Sequence, residues 1–238
     1  MTQIDNTGER ILLEKETPLM IARHLSAYRF SKDYILGRSV LDIGCGEGYG
    51  SFYLASVAES VKALDYDNAV IDYAKDKYQK DNLRFYTMDV NNLSSLNDRF
   101  DVVTSFQVIE HIRDPDGFLK NIKNLLKENG VFICSTPNKR DASPCRDTPL
   151  NKFHVKEYLC DEFKELLGRS FRAVDLFGLR RGRRLNLYRR LKKIGILNFL
   201  PSPINPVNKF YGQISCNEFV ITKHGLDTAL DFIAISKK

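Results

Sequence analysis

For the first 140 residues, hydrophobic positions gather in short continuous runs separated by polar turns. V-L-D-I (40–43), V-K-A-L-D (61–65), L-R-F-Y-T-M-D (83–89), F-D-V-V-T-S-F (100–106) and V-F-I-C-S-T-P-N (131–138) each read as a strand. Runs this apolar fit strands covered on both faces. Between them the spacing becomes helical. Y-G-S-F-Y-L-A-S-V follows the first strand, and Val70, Ile71, Tyr73, Ala74 and Tyr78 mark a helix after the second. D-G-F-L-K-N-I-K-N-L-L-K precedes the fifth, with Gly130 expected as its C-terminal cap. Strands alternating with helices predict an α/β fold with a doubly wound, mostly parallel sheet. Ligands of such sheets lie beyond the carboxyl ends of the strands.

An amphipathic helix, P-L-M-I-A-R-H-L-S-A-Y-R-F, precedes this core. After Pro137 the alternation loosens into a loop (138–151), a helix H-V-K-E-Y-L-C-D-E-F-K-E-L-L and a strand A-V-D-L-F. A basic segment, prolines at 201, 203 and 206, and a last strand D-F-I-A-I-S-K complete the chain. We expect one domain over 1–238, divided into an N-terminal helical cover (1–37), a ligand-binding core (38–138) and an acceptor-side loop, helix and strand (139–178). A basic cap insertion (179–216) and a closing strand region (217–238) follow.

Composition narrows this picture. With 43% hydrophobic and 28% charged residues, 238 residues are ordinary for a globular chain able to bury a full core. No run of 18 apolar residues suggests a membrane span, and the first ten residues do not read as a secretory signal. The five cysteines (45, 134, 145, 160, 216) include no C-x-x-C pair, so reduced thiols in a cytoplasmic protein are expected, and no metal site.

The most specific chemistry is V-L-D-I-G-C-G-E-G-Y-G at 40–50, where Gly44, Gly46, Gly48 and Gly50 alternate after a strand. Glycines there let the backbone turn into a helix and leave bare amides at its positive end for a ligand. The dinucleotide pattern G-x-G-x-x-G does not fit, since its third glycine would fall on Tyr49 or Ser51. Asp42, two residues before the first glycine, suits a ligand that presents a cation rather than a pyrophosphate.

This segment resembles motif I of the class I S-adenosylmethionine-dependent methyltransferases, and the likeness continues from about Arg38 to Pro137. It implies a seven-stranded sheet whose antiparallel last strand enters between the fifth and sixth. It also implies S-adenosyl-L-methionine as cofactor, held by Asp42, Gly44, Cys45, Gly46 and Gly48. Asp65, 23 residues after Asp42, falls where the family binds the ribose, with Tyr66 beside it. Asp89 falls at the adenine position, flanked by Met88 and Val90. Phe106 and Gln107 fall on the methionine side, and Tyr28, with His24, closes over the cofactor or covers the core.

Glu110 and His111 stand in V-I-E-H after the fourth strand. If the acceptor is a hydroxyl, a base must take its proton, and imidazole suits that near neutral pH. His111 is the first candidate for that base, the other reading being that it orders the loop. His154, in N-K-F-H-V-K-E-Y, is the second catalytic candidate. That phrase, with T-G-E-R near the start and the H-L-x-x-Y of His24, Leu25 and Tyr28, is similar to bacterial methyltransferases of cell-surface glycan synthesis. The N-P-P-Y or D-P-P-Y of adenine and glutamine N-methyltransferases is absent from the end of the fourth strand.

Charge is concentrated. Eight of the Arg and Lys residues lie between Arg180 and Lys193 with no acid among them, so this stretch carries +8 of a net +6 and leaves −2 for the rest. Leu185, Tyr188, Leu191 and Ile194, with Leu187 beside them, make the helix amphipathic, and Ile196, Leu197, Phe199 and Leu200 continue its apolar side. Three readings remain: contact with an anionic membrane or lipid-linked acceptor, a grip on a soluble phosphorylated acceptor, or a solvated lid. Few aromatics interleave with the cations, which argues against nucleic acid. The resemblance implies methyl transfer to a hydroxyl or amine of a small molecule, foremost a sugar of a surface glycan or its lipid- or nucleotide-linked precursor. Alternatives are a quinone-type acceptor or a membrane-associated scaffold that binds the cofactor without turnover. A cytoplasmic location, with peripheral contact at the inner membrane face, goes with this reading.

Overall fold

The computed structural model describes residues 10–195, 199–202 and 204–238. Within these lie β1 (Ser39–Ile43), β2 (Ser60–Asp65), β3 (Leu83–Thr87), β4 (Phe100–Phe106), β5 (Leu126–Pro137), β6 (Ala173–Arg181), β7 (Phe219–Thr222) and β8 (Asp231–Lys237). The helices are α1 (Pro18–Phe30), α2 (Lys32–Ile35), α3 (Tyr49–Leu54), α4 (Asn68–Lys77), α5 (Pro115–Leu125), α6 (Lys139–Ala142), α7 (Cys160–Gly168), α8 (Arg183–Ile194) and α9 (Pro206–Gly212). Short polar residues start several of them. Thr17 caps α1 by accepting from Met20 N, with Pro18 at the first helical position. Asp67 does the same for α4 and Asp114 for α5.

The eight strands form one sheet in the order β3-β2-β1-β4-β5-β8-β6-β7. β3, β2, β1, β4 and β5 are parallel, and β8 enters antiparallel between β5 and β6. Alternate residues feed two cores. Val40, Val102 and Ile133 join Tyr28, Leu54, Leu185 and Phe210 on one face. Leu41, Val103 and Phe132 join Leu119, Ile122 and Phe163 on the other. Strand order reverses between β1 and β4, which opens a crevice at their carboxyl ends.

Four differences from the sequence reading have local causes. The sheet has an eighth strand, β7, antiparallel to β6. It is only four residues long and pairs at an edge, too short to announce itself. Gly130 does not cap α5. That helix passes directly into β5 at Leu126, and the left-handed turn falls on Asn129 (φ 61°). The helix expected from His154 begins at Cys160. Val155 N and Lys156 N instead donate to the Glu110 carbonyl, which keeps 154–159 out of the helix and ties them to the site. The basic insertion begins only after Arg181, because β6 keeps pairing with β7 through Arg180 and Arg181. Ile196, Leu197 and Pro203, and the first three residues of T-G-E-R, lie outside the described residues.

Candidate active site

A cavity of about 610 Å³ occupies the crevice at the strand ends. This is the size of a small-ligand site. One wall is the turn after β1. Gly44 has φ 76°, and a Cβ there would lie 2.3 Å from Val108 Cγ2, so only glycine fits. Gly46 has φ 53°, and a Cβ there would meet nothing within 4 Å, because its backbone is bare toward the cavity. Gly46 N donates to Asp65 Oδ2 at 2.9 Å and Asp67 N to Asp65 Oδ1 at 3.1 Å. Asp65 is buried at the end of β2, and burial pushes its carboxyl upward.

Most residues singled out in the sequence converge here. Tyr28, Gly44, Cys45, Gly46, Asp65, Tyr66, Met88, Asp89, Val90, Phe106 and Gln107 line the cavity, as do His111 and His154. Two do not. Asp42 is wholly enclosed behind the turn, where its carboxylate accepts from Ser51 Oγ (2.6 Å) and Thr104 Oγ1 (2.8 Å). Burial raises it to about 6. It therefore faces no ligand directly and instead pins the turn to α3 and β4. Gly48, with φ 95°, starts α3 and packs against Phe85 and Ala74. Tyr28 reaches the site because Gly50 has no side chain; a Cβ there would lie 2.0 Å from the Tyr28 ring. The ring stands edge-on to Phe106 at 4.5 Å.

The opposite wall begins at Gln107, a non-glycine residue with φ 57° whose Nε2 donates to Ser135 Oγ. Such backbone strain clusters at functional sites. His111 Nδ1 lies 2.9 Å from the Phe153 carbonyl, which can only accept, so this nitrogen carries the proton. His154 Nδ1 lies 2.8 Å from Glu157 Oε1, and Asn151 Nδ2 donates to His154 Nε2 at 3.0 Å. The two imidazole rings meet edge to face with centroids 5.0 Å apart. Beneath them Glu110 is wholly buried. Its Oε2 accepts from Thr136 Oγ1 at 3.0 Å, its Oε1 has no partner, and burial raises it to about 8.

Further residues shape the site; Arg23, Asp231 and Glu157 are not marked by the sequence, whereas His24 was expected over the cofactor or the core and Arg10 ends T-G-E-R. Arg23 of α1 forms a two-pronged pair with Asp231 of β8, at 2.6 Å on both prongs, and lines the cavity. His24 beside it is enclosed enough that burial lowers it to about 4. Arg10 pairs with Asp67 at 2.6 Å and brings the segment before α1 over Asp65 and Tyr66. Glu157 was hidden inside an apparent helix; only the i, i+3 spacing from His154 hinted at it.

The Methyltransferase domain family matches residues 37–175. A probable S-adenosylmethionine-dependent methyltransferase of Mycolicibacterium smegmatis is 40% identical over 182 residues, covering 74% of this chain and 68% of that protein. A like-named Mycobacterium tuberculosis protein is 36% identical, and the match spans 65% of its length against 75% of this chain. A ubiquinone biosynthesis O-methyltransferase of Coxiella burnetii is 35% identical over a shorter stretch, 43% of this chain and 45% of its own. Among solved structures, an S-adenosylmethionine-dependent methyltransferase of Mesorhizobium loti superposes with a TM-score of 0.61, covering 92% of this chain and 100% of that one. At 15% identity it speaks for the fold alone.

Proposed function

The chain belongs to the Methyltransferase domain family and is an S-adenosylmethionine-dependent enzyme, and from this premise we propose that its acceptor is a hydroxyl of a sugar in a surface glycan or its lipid-linked precursor. The single observation that carries the reading is the arrangement of two walls on one cavity: a bare-backbone turn beside a buried carboxylate, and an imidazole pair opposite. The turn suits the cofactor. Gly46 leaves room against the backbone, and the Asp65 oxygens, each accepting one amide proton, retain lone pairs for ribose hydroxyls. In this reading Asp89 and Met88, which line the cavity, take the adenine, and Tyr28, Phe106 and Gln107, which also line it, take the methionine part.

When bound, the cofactor supplies an electrophilic methyl group on a sulfonium. The chain's part is to place an acceptor oxygen in line with it, at the roughly 3–3.5 Å of a near-attack geometry, and to accommodate the departing proton. The acceptor hydroxyl meets the His111–His154 pair, where imidazole is suited to receive that proton near neutral pH. Phe153 O and Glu157 orient the two rings.

The lipid-linked source draws on α8. Leu185 is buried, and Tyr188 stacks on Phe210 at 3.9 Å, so the inner face is occupied. Leu187 and Ile194 are exposed on the other side, among the exposed Arg183, Arg190 and Lys193, with Phe199 and Ile204 exposed nearby. Apolar tips ringed by cations suit an anionic bilayer, gaining about 1 kcal/mol per cation. A quinone-type acceptor is the second reading, favoured by the likeness to the Coxiella enzyme. The test is mass spectrometry of envelope glycan and lipid extracts incubated with the protein and S-adenosylmethionine. A gain of one methylene in a glycan or lipid-linked sugar is expected, and a gain confined to quinones supports the second reading instead. Binding to anionic vesicles should vanish in high salt and when Arg183, Arg189, Arg190 and Lys193 are replaced by Gln.

A further inference from the structure

We propose that Glu110, His111 and His154 form a binding site for one first-row divalent cation of the Zn²⁺ or Mn²⁺ kind, which holds the acceptor oxygen. One donor atom from each of the three residues lies within 4.8 Å of the other two. Two imidazoles and one carboxylate are a donor set for borderline first-row cations rather than for Mg²⁺ or Ca²⁺, which favour oxygen.

Two independent observations point to a ligand at this place. The first is a pair of buried carboxyl groups with unused acceptor oxygens. Glu110 and Glu157 are both buried, and each has one carboxylate oxygen, Oε1 and Oε2 respectively, without a hydrogen-bond partner. Among the described residues only two other buried side-chain atoms share that condition, and both are serine hydroxyls. A cation would fill the Glu110 oxygen that the surrounding side chains leave without a partner.

The second is the outer support. Metal-bound histidines regularly donate the proton of the nitrogen away from the metal to a carbonyl or carboxylate, which fixes the ring. Both histidines are held in this way, His111 by the Phe153 carbonyl at 2.9 Å and His154 by the Glu157 carboxylate at 2.8 Å. An imidazole protonated at Nδ1 carries its lone pair at Nε2. For His154 that lone pair now accepts from the Asn151 amide, which the cation would displace or share.

The inference rests on the preceding reading only in placing the acceptor at this wall. It changes what the imidazoles do there, from taking a proton to holding an ion. A cation-bound hydroxyl loses its proton to solvent more readily. The alkoxide oxygen then forms the new C–O bond as the methyl–sulfur bond breaks with its electron pair going to sulfur.

The experiment is titration of the metal-stripped full chain with Mn²⁺, read by loss of the free-ion resonance signal, and with Zn²⁺ and Mg²⁺ by calorimetry. One equivalent of Mn²⁺ or Zn²⁺ is expected to bind, with Mg²⁺ much weaker. Glu110→Gln and His154→Ala should abolish that uptake. Glu157→Gln, which leaves all three ligands in place, should weaken it roughly 10–100-fold. Circular dichroism establishes that each variant folds, and Glu157→Gln decides the matter if the ligand variants do not. S-adenosylmethionine binding, measured on the same samples, separates this inference from the methyltransferase reading. No uptake by the parent chain, or equal uptake by all variants, overturns the proposal.

Discussion

The turn at Gly44–Gly48 and the wall at Glu110–His154 face the same cavity, yet they are made from different materials. The first is backbone, shaped by the three alternating glycines 44, 46 and 48 and anchored by Asp42 and Asp65 within 25 residues. The second is side chain, and it exists only because Val155 N and Lys156 N reach back to the Glu110 carbonyl and His154 finds Glu157. A backbone site can be read from spacing and glycine content. A side-chain site needs the fold first. The lesson is functional too: in the proposed reading the turn serves the shared cofactor, and the side-chain wall sets chemistry and specificity.

This contrast can be broken deliberately. Replacing His111 or His154 by Ala should lower methyl transfer about 10²- to 10⁴-fold while the Kd for S-adenosylmethionine stays within about twofold; parallel loss of both would merge the walls into one unit. Arg23→Met attacks what the walls share, the tie between the α1 cover and β8. It leaves Asp231 buried without its partner and should cost about 3–5 kcal/mol in urea unfolding, whereas a cost under about 1 kcal/mol would show the cover to be loosely held.

The next effect is one of pH. His24, facing Arg23 and Asp231, is lowered to about 4 from its ordinary 6.5. Between those values the unfolded chain takes up a proton that the folded chain refuses. The stability is therefore complete above about pH 6.5 and declines by up to about 3 kcal/mol as pH falls to 4. His24→Leu should flatten that part of the stability profile, and an unchanged slope would mean that His24 is solvated through the cavity. The smallest effect belongs to Gly46→Ala. Its positive φ costs about 1 kcal/mol of stability, but the added methyl enters the cavity, so cofactor affinity should drop about tenfold or more with the fold intact.

How far the sequence could be read follows the same division. The parallel strands were legible because each is a continuous apolar run, and α1 because its amphipathic stretch runs from Pro18 to Phe30. The placement of β8 between β5 and β6 was implied by family likeness, not by its own residues. What escaped depended on distant partners. Residues 154–159 have helical spacing, but hydrogen bonds to Glu110 override it. Arg23 and Asp231 are 208 positions apart and share no pattern. Glu110 stands out in the sequence only as a neighbour of His111, since nothing local reveals that Thr136 and a closed core surround it. Asp42 shows the reverse error, a residue rightly tied to the turn but turned away from the ligand to brace it from behind.

The most direct test of the whole account is calorimetric titration of S-adenosylmethionine into the parent chain, Asp65→Ala and His111→Ala. The account predicts one equivalent bound, at least tenfold weaker binding for Asp65→Ala, and His111→Ala indistinguishable from the parent. Absence of binding to the parent chain, or equal weakening by both substitutions, would contradict it.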